Sequence, residues 1–418
     1  MPMSSLWSAT APAGPALPTL QESLHSDVLV IGGGLQGLST ALHLAEAGTA
    51  VTLLEAADPG EGGSGRNGGQ VIPGLKDDPD TLDRLFGPEA TEFAGSTATM
   101  LFDLVTRLGL DCDAERTGWI QAADKQVLLP ALERRMSEWQ ARGADVGWLD
   151  AKAMAAHTGS HRFKGGWIDR RAGQLHPLKL VRALTAAALA AGVQIYARSP
   201  VCSMARQGRH WVATLPEGAQ VTAERVLLAT NRYTPPDLHR GLSRATLPAH
   251  SFQIATRPLS TSERARILPR RTPVSEARRV GTYFRLGPEN RLLLGGRGDF
   301  TAPEGPRRFR MIEAEIRRLY GAGLTMEHYW YGRIAMTPDH RIRLVAPAPG
   351  LFAATGFNGR GVALATALGQ RIAEHFLTGR PMPLPVQTKM TQMPLYGLHP
   401  LYGTLALHYY RLRDALDR

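Results

Sequence analysis

The stretch that decides the fold is residues 28–55, VLVIGGGLQGLSTALHLAEAGTAVTLLE. It opens with the apolar run 28–31, which is typical of a strand buried on both faces of a parallel sheet. Three glycines follow, residues 35–47 have a helical pattern closed by Gly48, and residues 51–54 are a second apolar run. The stretch therefore predicts one strand–helix–strand unit with a parallel strand pair.

The turn of this unit carries the dinucleotide-binding pattern G-x-G-x-x-G at Gly32, Gly34 and Gly37. The first glycine allows a tight turn, the second lets the backbone approach a pyrophosphate, and the third lets helix and strand pack closely. Glu55 ends the second strand, where a carboxylate can accept hydrogen bonds from the adenosine ribose hydroxyls. The alternative is a structural turn with a solvated glutamate.

Two further glycine-rich loops favour an extended dinucleotide such as FAD. The first follows the second strand and could lay backbone N–H groups against a polar cofactor edge; its residues are Ser64, Gly65, Arg66, Asn67, Gly68, Gly69 and Gln70. The second precedes a helix whose N-terminus could stabilise negative charge on a reduced flavin; its predicted contacts are Gly356, Asn358, Gly359, Arg360 and Gly361. The alternatives are a surface loop and a tight core turn.

Composition excludes several other classes. The chain has 418 residues, enough for two or three domains, and its net charge of +11 is scattered rather than gathered into a basic arm, which argues against nucleic-acid binding. Cys112 and Cys202 have no metal-ligand or disulfide spacing, so no metal is predicted. With neither a signal peptide nor a long apolar run, the expected location is the cytoplasm.

Four motifs together resemble the FAD-dependent D-amino-acid oxidase and sarcosine oxidase superfamily, in particular the branch that contains γ-glutamylputrescine oxidoreductase. They are VIGGGLQGLSTALHLAEAG (30–48), SGRNGGQ (64–70), LLATNRYT (227–234) and GFNGRGVAL (356–364), and the N-terminal LWSAT is also similar to that branch. The resemblance implies that 66–69 lie along the flavin, that 359–361 cradle its pyrimidine edge, and that Ala229 and Thr230 approach the cofactor.

The resemblance also implies an α/β (α+β) fold. A Rossmann-like FAD-binding domain of discontinuous segments would be joined to an antiparallel-sheet substrate domain with helices. The expected division is an arm at 1–25, the FAD-binding domain at 26–75, 150–240 and 340–380, a substrate or cap domain at 76–149 and 241–339, and a C-terminal extension at 381–418. Residues 76–160 are predicted to be mostly helices and loops.

The chain departs from the family pattern at residues 330–339. Amino-acid oxidases of the family often have W-x-G-L-R-P-x-T-P-D, in which the arginine grips the substrate carboxylate. Here that arginine position is Ile334, and Arg333 beside it is expected to point to the opposite face of a strand. The flavin-linked cysteine of the monomeric sarcosine oxidases is also missing, which predicts non-covalent FAD.

Four side chains are candidates for the substrate side of the flavin. Tyr283 and Trp330 could form an aromatic wall that favours a neutral amine by desolvation, and Arg285 and His250 could bind an anionic substrate end or assist oxygen. The alternative for each is a core or structural role.

These features predict an enzyme that oxidises a carbon–nitrogen bond of a small amine by hydride transfer to FAD. Two alternatives stay open, an oxidase or dehydrogenase of D-amino acids, glycine or sarcosine, and a non-catalytic FAD-containing subunit. The electron acceptor is O2 or another molecule; because no lysine occurs between 180 and 388, slow reaction with oxygen is expected.

Overall fold

The computed structural model describes residues 4–298, 300, 305–321 and 323–417. The strands are β1 (Leu24–Ile31), β2 (Val51–Leu54), β3 (Gln70–Val71), β4 (Trp119–Ala123), β5 (Val146–Asp150), β6 (Gly165–Asp169), β7 (Gly173–Gln174), β8 (Gln194–Tyr196), β9 (Ser203–Gln207), β10 (His210–Thr214), β11 (Gln220–Leu228), β12 (Leu247–Pro258), β13 (Val274–Glu276), β14 (Thr282–Leu286), β15 (Arg291–Arg297), β16 (Met326–Met336), β17 (Arg343–Ala348), β18 (Leu351–Thr355) and β19 (Val386–Gln387).

The α-helices alternate with these strands, most of them in the first half of the chain. They are α1 (Leu6–Thr10), α2 (Leu35–Glu46), α3 (Gly63–Arg66), α4 (Pro79–Phe86), α5 (Pro88–Leu108), α6 (Leu129–Ala141), α7 (Ala151–Thr158), α8 (Pro177–Ala190), α9 (Pro236–Ser243), α10 (Thr261–Arg266), α11 (Arg310–Tyr320), α12 (Gly361–Thr378) and α13 (His399–Leu416). Among the described residues, none of these helices is long and apolar enough to cross a membrane.

The first sheet is built around the predicted strand–helix–strand unit. Its order is β19-β17-β18-β11-β1-β2-β8, with β10 and β9 continuing from β11. β1 runs parallel to both β2 and β11, so that Ile31 faces Leu54 on one side and Leu228 on the other. The carboxyl ends of three strands therefore meet at the loop that follows β1.

Helices cover this sheet through one large core. Leu38 of α2, Leu101 of α5, Leu184 of α8 and Leu368 of α12 are buried in the same cluster. The predicted helix at 35–47 is confirmed as α2, and the predicted strand at 51–54 is β2.

The second sheet is mainly antiparallel, with the order β16-β12-β15-β14-β13-β4-β6-β5. Its core packs Ile254, Phe284 and Leu294 against Ile312 and Ile316 of α11. Two sheets of different character, one largely parallel and one largely antiparallel, agree with the predicted α/β (α+β) fold class.

Several segments differ from the predicted division. Residues 76–160 contain two strands of the second sheet, β4 and β5, and β6 joins the same sheet although it falls in the range 150–240. The N-terminal arm is not simply extended, because α1 buries Leu6 and Trp7 completely. The C-terminal extension contributes β19 to the first sheet. The domain bounds themselves stay a prediction.

Candidate cofactor and substrate site

A cavity of about 780 Å³ opens between the two sheets. Its volume is within the roughly 300–1,000 Å³ of ligand and cofactor sites. All three glycine-rich loops and the segment after β11 reach it. Of the residues predicted to bind the cofactor, those that line it are Gly32, Gly34, Glu55, Ser64, Arg66, Asn67, Gly68, Gly69, Gln70, Ala229, Thr230, Asn358, Gly359, Arg360 and Gly361.

The dinucleotide loop has the close contacts that its glycines predict. Gly32 has a φ of +115°, which favours glycine. A Cβ atom added at Gly34 would lie 2.8 Å from the Ser64 hydroxyl, and one added at Gly37 would lie 2.0 Å from the Gly32 carbonyl oxygen. Gly37 does not line the cavity; it lets α2 pack on the turn, as expected of the third glycine.

Glu55 holds the loop as well as lining the cavity. Its Oε2 accepts a hydrogen bond of 2.6 Å from the Gly33 N–H, and its Oε1 accepts one of 3.0 Å from the Ala57 N–H. A carboxylate has about four acceptor positions, so capacity for ribose hydroxyls remains. The ribose contact stays a prediction.

Gln36, the second residue of α2, was not anticipated from the sequence. Its side chain is 4% exposed, it lines the cavity, and neither its amide nitrogen nor its amide oxygen has a hydrogen-bond partner in the part of the chain that the structure describes. Buried amides are nearly always paired, so this one indicates a ligand with donor and acceptor atoms.

Side chains from distant elements hold the glycine-rich loop at 64–70, called the second loop below, in place. Trp7 Nε1 donates to the Asn67 carbonyl at 2.9 Å, while Trp330 Nε1 and Gln253 Nε2 both donate to the Arg66 carbonyl, at 3.0 and 2.5 Å. The structure does not bring Trp330, predicted for the substrate side, to the cavity, because its side chain is fully buried behind the loop. It positions the loop, and so does the N-terminal Trp7.

Three of the predicted cofactor residues act through packing or loop geometry. Gly65 does not line the cavity; a Cβ atom there would lie 2.2 Å from the Gly60 carbonyl oxygen. Gly356 also lies outside it, with a φ of +81°. Asn358 Oδ1 accepts a 2.8 Å hydrogen bond from the Thr337 N–H. This bond attaches the glycine-rich loop at 356–361, called the closing loop below, to the end of β16.

The closing loop presents a helix N-terminus to the cavity. α12 begins at Gly361 without a side-chain cap, and Gly361, Val362 and Ala363 all line the cavity. Arg360 donates to the Pro73 carbonyl at 3.0 Å and lies over the Trp119 ring. Burial, together with the nearby Arg135, lowers the pKa of Arg360 to about 10. The unpaired N–H groups and the positive helix end favour negative charge.

Tyr283 is the one predicted substrate-side residue that lines the cavity. Its hydroxyl lies 2.8 Å from the Ser251 hydroxyl, and burial raises the pKa of Tyr283 to about 12, so it stays protonated at neutral pH. A Cβ atom at Gly68 would lie 2.5 Å from the Tyr283 ring, which requires glycine in the second loop.

The structure does not bring Arg285 or His250 to the wall of this cavity. Arg285 donates to the Leu175 carbonyl at 2.8 Å behind Gly69 and lies over the Trp7 ring; it borders a separate cavity of about 360 Å³. Burial lowers the pKa of Arg285 to about 9. On β12, Ala249 and Ser251 line the large cavity, so strand alternation turns His250 to the other face, against Tyr331.

Ile334 lines the cavity, as the family position predicts. In the strand register Arg333 stands opposite His250, on the other face of β16 from Ile334. Arg333 also lines the cavity; its exposed side chain lies at the rim, with the guanidinium 5.8 Å from the centre of the Tyr233 ring.

Comparison with known proteins agrees with this geometry. The family described as DAO, FAD dependent oxidoreductase, matches residues 27–375. The chain belongs to this family. It is 30% identical to gamma-glutamylputrescine oxidoreductase of Escherichia coli (strain K12), over 99% of this chain and 98% of that one. It is 29% identical to the probable oxidoreductase OrdL of Haemophilus influenzae, over 95% and 94%.

Solved structures show the same fold. Glycine oxidase from Geobacillus kaustophilus has a TM-score of 0.74 at 20% identity, covering 88% of this chain and 99% of that one. L-proline dehydrogenase from P. horikoshii has a TM-score of 0.74 at 18% identity, covering 88% and 96%. The predicted family, fold class and FAD cofactor are confirmed, and the chain is an FAD-dependent oxidoreductase.

The residues of the cavity fit FAD. Gly32 and Gly34 leave the backbone open, the amide of Gln36 lacks a partner among the described residues, and two helix N-termini, those of α2 and α12, face the same space. Among the described residues no cluster of potential metal ligands occurs. Non-covalent attachment stays a prediction.

Lys76 and Arg297 are among the cationic residues of the cavity that the sequence analysis did not predict. Lys76 follows β3 in the chain, outside the lysine-free interval, and Arg297 ends β15; both line the cavity. A lysine is therefore present in the site, and the expectation of slow reaction with oxygen loses its ground. No local motif marks either residue, because the fold alone brings them together.

Proposed function

We propose that this protein oxidises a carbon–nitrogen bond of a small amine, and that the resulting imine takes up water to give a carbonyl compound and a free amine. The observation that carries the proposal is the cavity itself, in which three loops fit FAD and Ile334 stands where amino-acid oxidases of the family have a carboxylate-binding arginine. The name of the relative in Escherichia coli, an oxidoreductase of gamma-glutamylputrescine, supports an amine substrate.

The side chains opposite the second loop would set the protonation state of the substrate amine. FAD, when bound, supplies the hydride acceptor for the carbon next to nitrogen. Tyr283 and Ser251 offer neutral hydroxyls to a substrate nitrogen, and Ala249 and Ile334 add apolar surface. Because burial disfavours the ammonium form, this wall favours the neutral amine that hydride removal requires.

Ile334 also argues against α-amino acids at that position. A carboxylate buried there without a charged partner would cost several kcal/mol. Ile334 supplies only dispersion contacts, so oxidation of D-amino acids, glycine or sarcosine remains the alternative function rather than the proposed one.

The test is anaerobic reduction of the bound flavin. The purified holoenzyme is mixed with putrescine, N-acetylputrescine and gamma-glutamylputrescine, and separately with D-alanine, glycine and sarcosine. Loss of the oxidised flavin absorbance with an amine supports the proposal. Loss with amino acids alone supports the alternative, and a flavin that dithionite reduces but no compound in either set reduces supports a non-catalytic subunit. The acceptor is identified separately by reoxidising the reduced enzyme with O2 or a quinone.

A further inference from the structure

Within the described part of the chain, Lys76 and Arg297 face the cavity without a protein partner. Neither Lys76 Nζ nor the Arg297 guanidinium has a hydrogen bond or ion pair within residues 4–298, 300, 305–321 and 323–417. By contrast, Arg135 and Arg278 nearby are paired with Asp78 and Glu276. Arg297 is half-buried and Lys76 is open to the cavity, so two positive charges without a described partner face one space and favour an anionic ligand there.

The sheet register places Arg297 on the substrate wall. Arg297 pairs with Ser251 across β15 and β12, and directly opposite residues of neighbouring strands share a face. Ser251 lines the cavity and contacts the Tyr283 hydroxyl. The guanidinium therefore belongs to the same wall as the hydroxyl pair assigned to the amine.

Lys76 approaches from the loop after β3. Burial, followed by Arg360, Arg297 and Arg135, lowers the pKa of Lys76 to about 7. The Lys76 side chain is exposed to the cavity. Burial lowers the pKa of His340, and the nearby charges of Lys76 and Arg297 lower it further. The three arginines therefore add positive potential around Lys76, whereas the lowered pKa of His340 keeps its ring neutral at neutral pH.

The acidic groups near the two cations are already engaged. Asp77, next to Lys76 in the chain, forms a two-point ion pair with Arg341. Asp414, whose charge reaches Arg297, accepts hydrogen bonds from Arg279 and the Val280 N–H. The described acidic side chains thus leave room for an anion that arrives with a ligand.

Building on the proposed function, we propose that Lys76 and Arg297 bind a carboxylate of the amine substrate. The substrate class is then an amino acid derivative or amide whose carboxylate lies away from Ile334. Arginine offers a planar fork for a carboxylate and lysine a compact charge, so the two together can hold one carboxylate from two sides.

The first experiment measures binding without turnover. The holoenzyme is titrated by calorimetry with straight-chain mono- and dicarboxylates of two to six carbons and with the corresponding amides. We expect the carboxylates to bind more tightly than the amides, and Lys76→Met and Arg297→Met each to weaken carboxylate binding about 10- to 100-fold with amide binding unchanged. Equal affinity for acids and amides in the unmodified enzyme would overturn the proposal.

Matched variants separate charge from folding. Arg297→Lys and Lys76→Arg keep the positive charge and should restore most of the carboxylate affinity. Arg170→Gln removes an exposed arginine paired with Asp145, outside the cavity, and should change nothing. Loss of FAD in Lys76→Met together with normal carboxylate binding would show that Lys76 serves the cofactor, and would also overturn the proposal.

A substrate pair then tests the class. N-succinylputrescine and N-acetylputrescine share the primary amine and the amide, and only the former carries a carboxylate. We expect a higher kcat/KM for the succinyl compound, lost in Arg297→Met mainly through KM. If neither compound reduces the flavin, the proposed function fails for these amines, while the calorimetric result still decides the carboxylate site.

Discussion

Gly37→Ala gives the most direct test of how the dinucleotide loop is built. The added Cβ atom would lie 2.0 Å from the Gly32 carbonyl oxygen, whereas non-bonded contacts require about 3.5 Å. Because the obstacle is backbone, α2 must retreat from the turn by about 1 Å or more. Overpacking of this kind costs about 1–3 kcal/mol of folding stability.

The same retreat moves the N-terminus of α2 away from the cavity. Charge-assisted hydrogen bonds to phosphate need about 2.7–2.9 Å, so a shift of 1 Å breaks them, and each is worth about 1.5–3 kcal/mol. We therefore expect the FAD dissociation constant to rise at least about tenfold, with a lower Tm of the apoprotein.

The assay is fluorescence titration of apoprotein with FAD, alongside thermal unfolding. Gly397→Ala is the matched control, because a Cβ atom there meets no atom within 4 Å and its φ is not positive. If the Gly37→Ala protein binds FAD with the affinity of the unmodified chain, the close packing of α2 on the turn is not required for FAD binding and the prediction fails.

Three further predictions concern the same cavity. Glu55→Ala should weaken FAD binding by about one to two decades, through lost hydrogen bonds to the ribose and to the Gly33 N–H; an unchanged dissociation constant would count against it. Trp330→Phe removes the donor to the Arg66 carbonyl and should lower FAD affinity while the pH profile of flavin reduction stays the same; a shifted profile would restore a catalytic role. Because the pKa of Lys76 is about 7 in the free cavity and a bound carboxylate must raise it, carboxylate affinity should fall as pH rises above about 7. Lys76→Met should remove that dependence, and calorimetry between pH 6 and 9 checks it.

Local sequence predicts the central unit of the first sheet well and misses part of the second sheet. Residues 28–55 form strand, helix and strand with almost the predicted bounds, because each element there is specified by its own periodicity and the glycines between them. β4 was missed because its partners are β6 and β13, and β13 lies about 150 residues further along the chain. No local pattern contains such a pairing.

In the site, too, some residues can be predicted from local sequence and others cannot. The glycine-rich loops can be predicted from sequence, because few residues other than glycine let the backbone come close to a cofactor or to another backbone segment. The facing of single side chains depends on tertiary contacts: His250 is turned away by strand alternation, and Arg285 is covered by Gly69 and Trp7. Lys76 lies in an irregular segment, and only the folded chain brings it to Arg297.

Stopped-flow absorbance of the holoenzyme under anaerobic conditions measures the oxidation of an amine by the bound flavin directly. We expect a small amine to reduce the flavin rapidly and to be converted to a carbonyl product in a one-to-one ratio with reduced flavin. Rapid reduction by D-alanine, glycine or sarcosine, with no reduction by any amine, would contradict it.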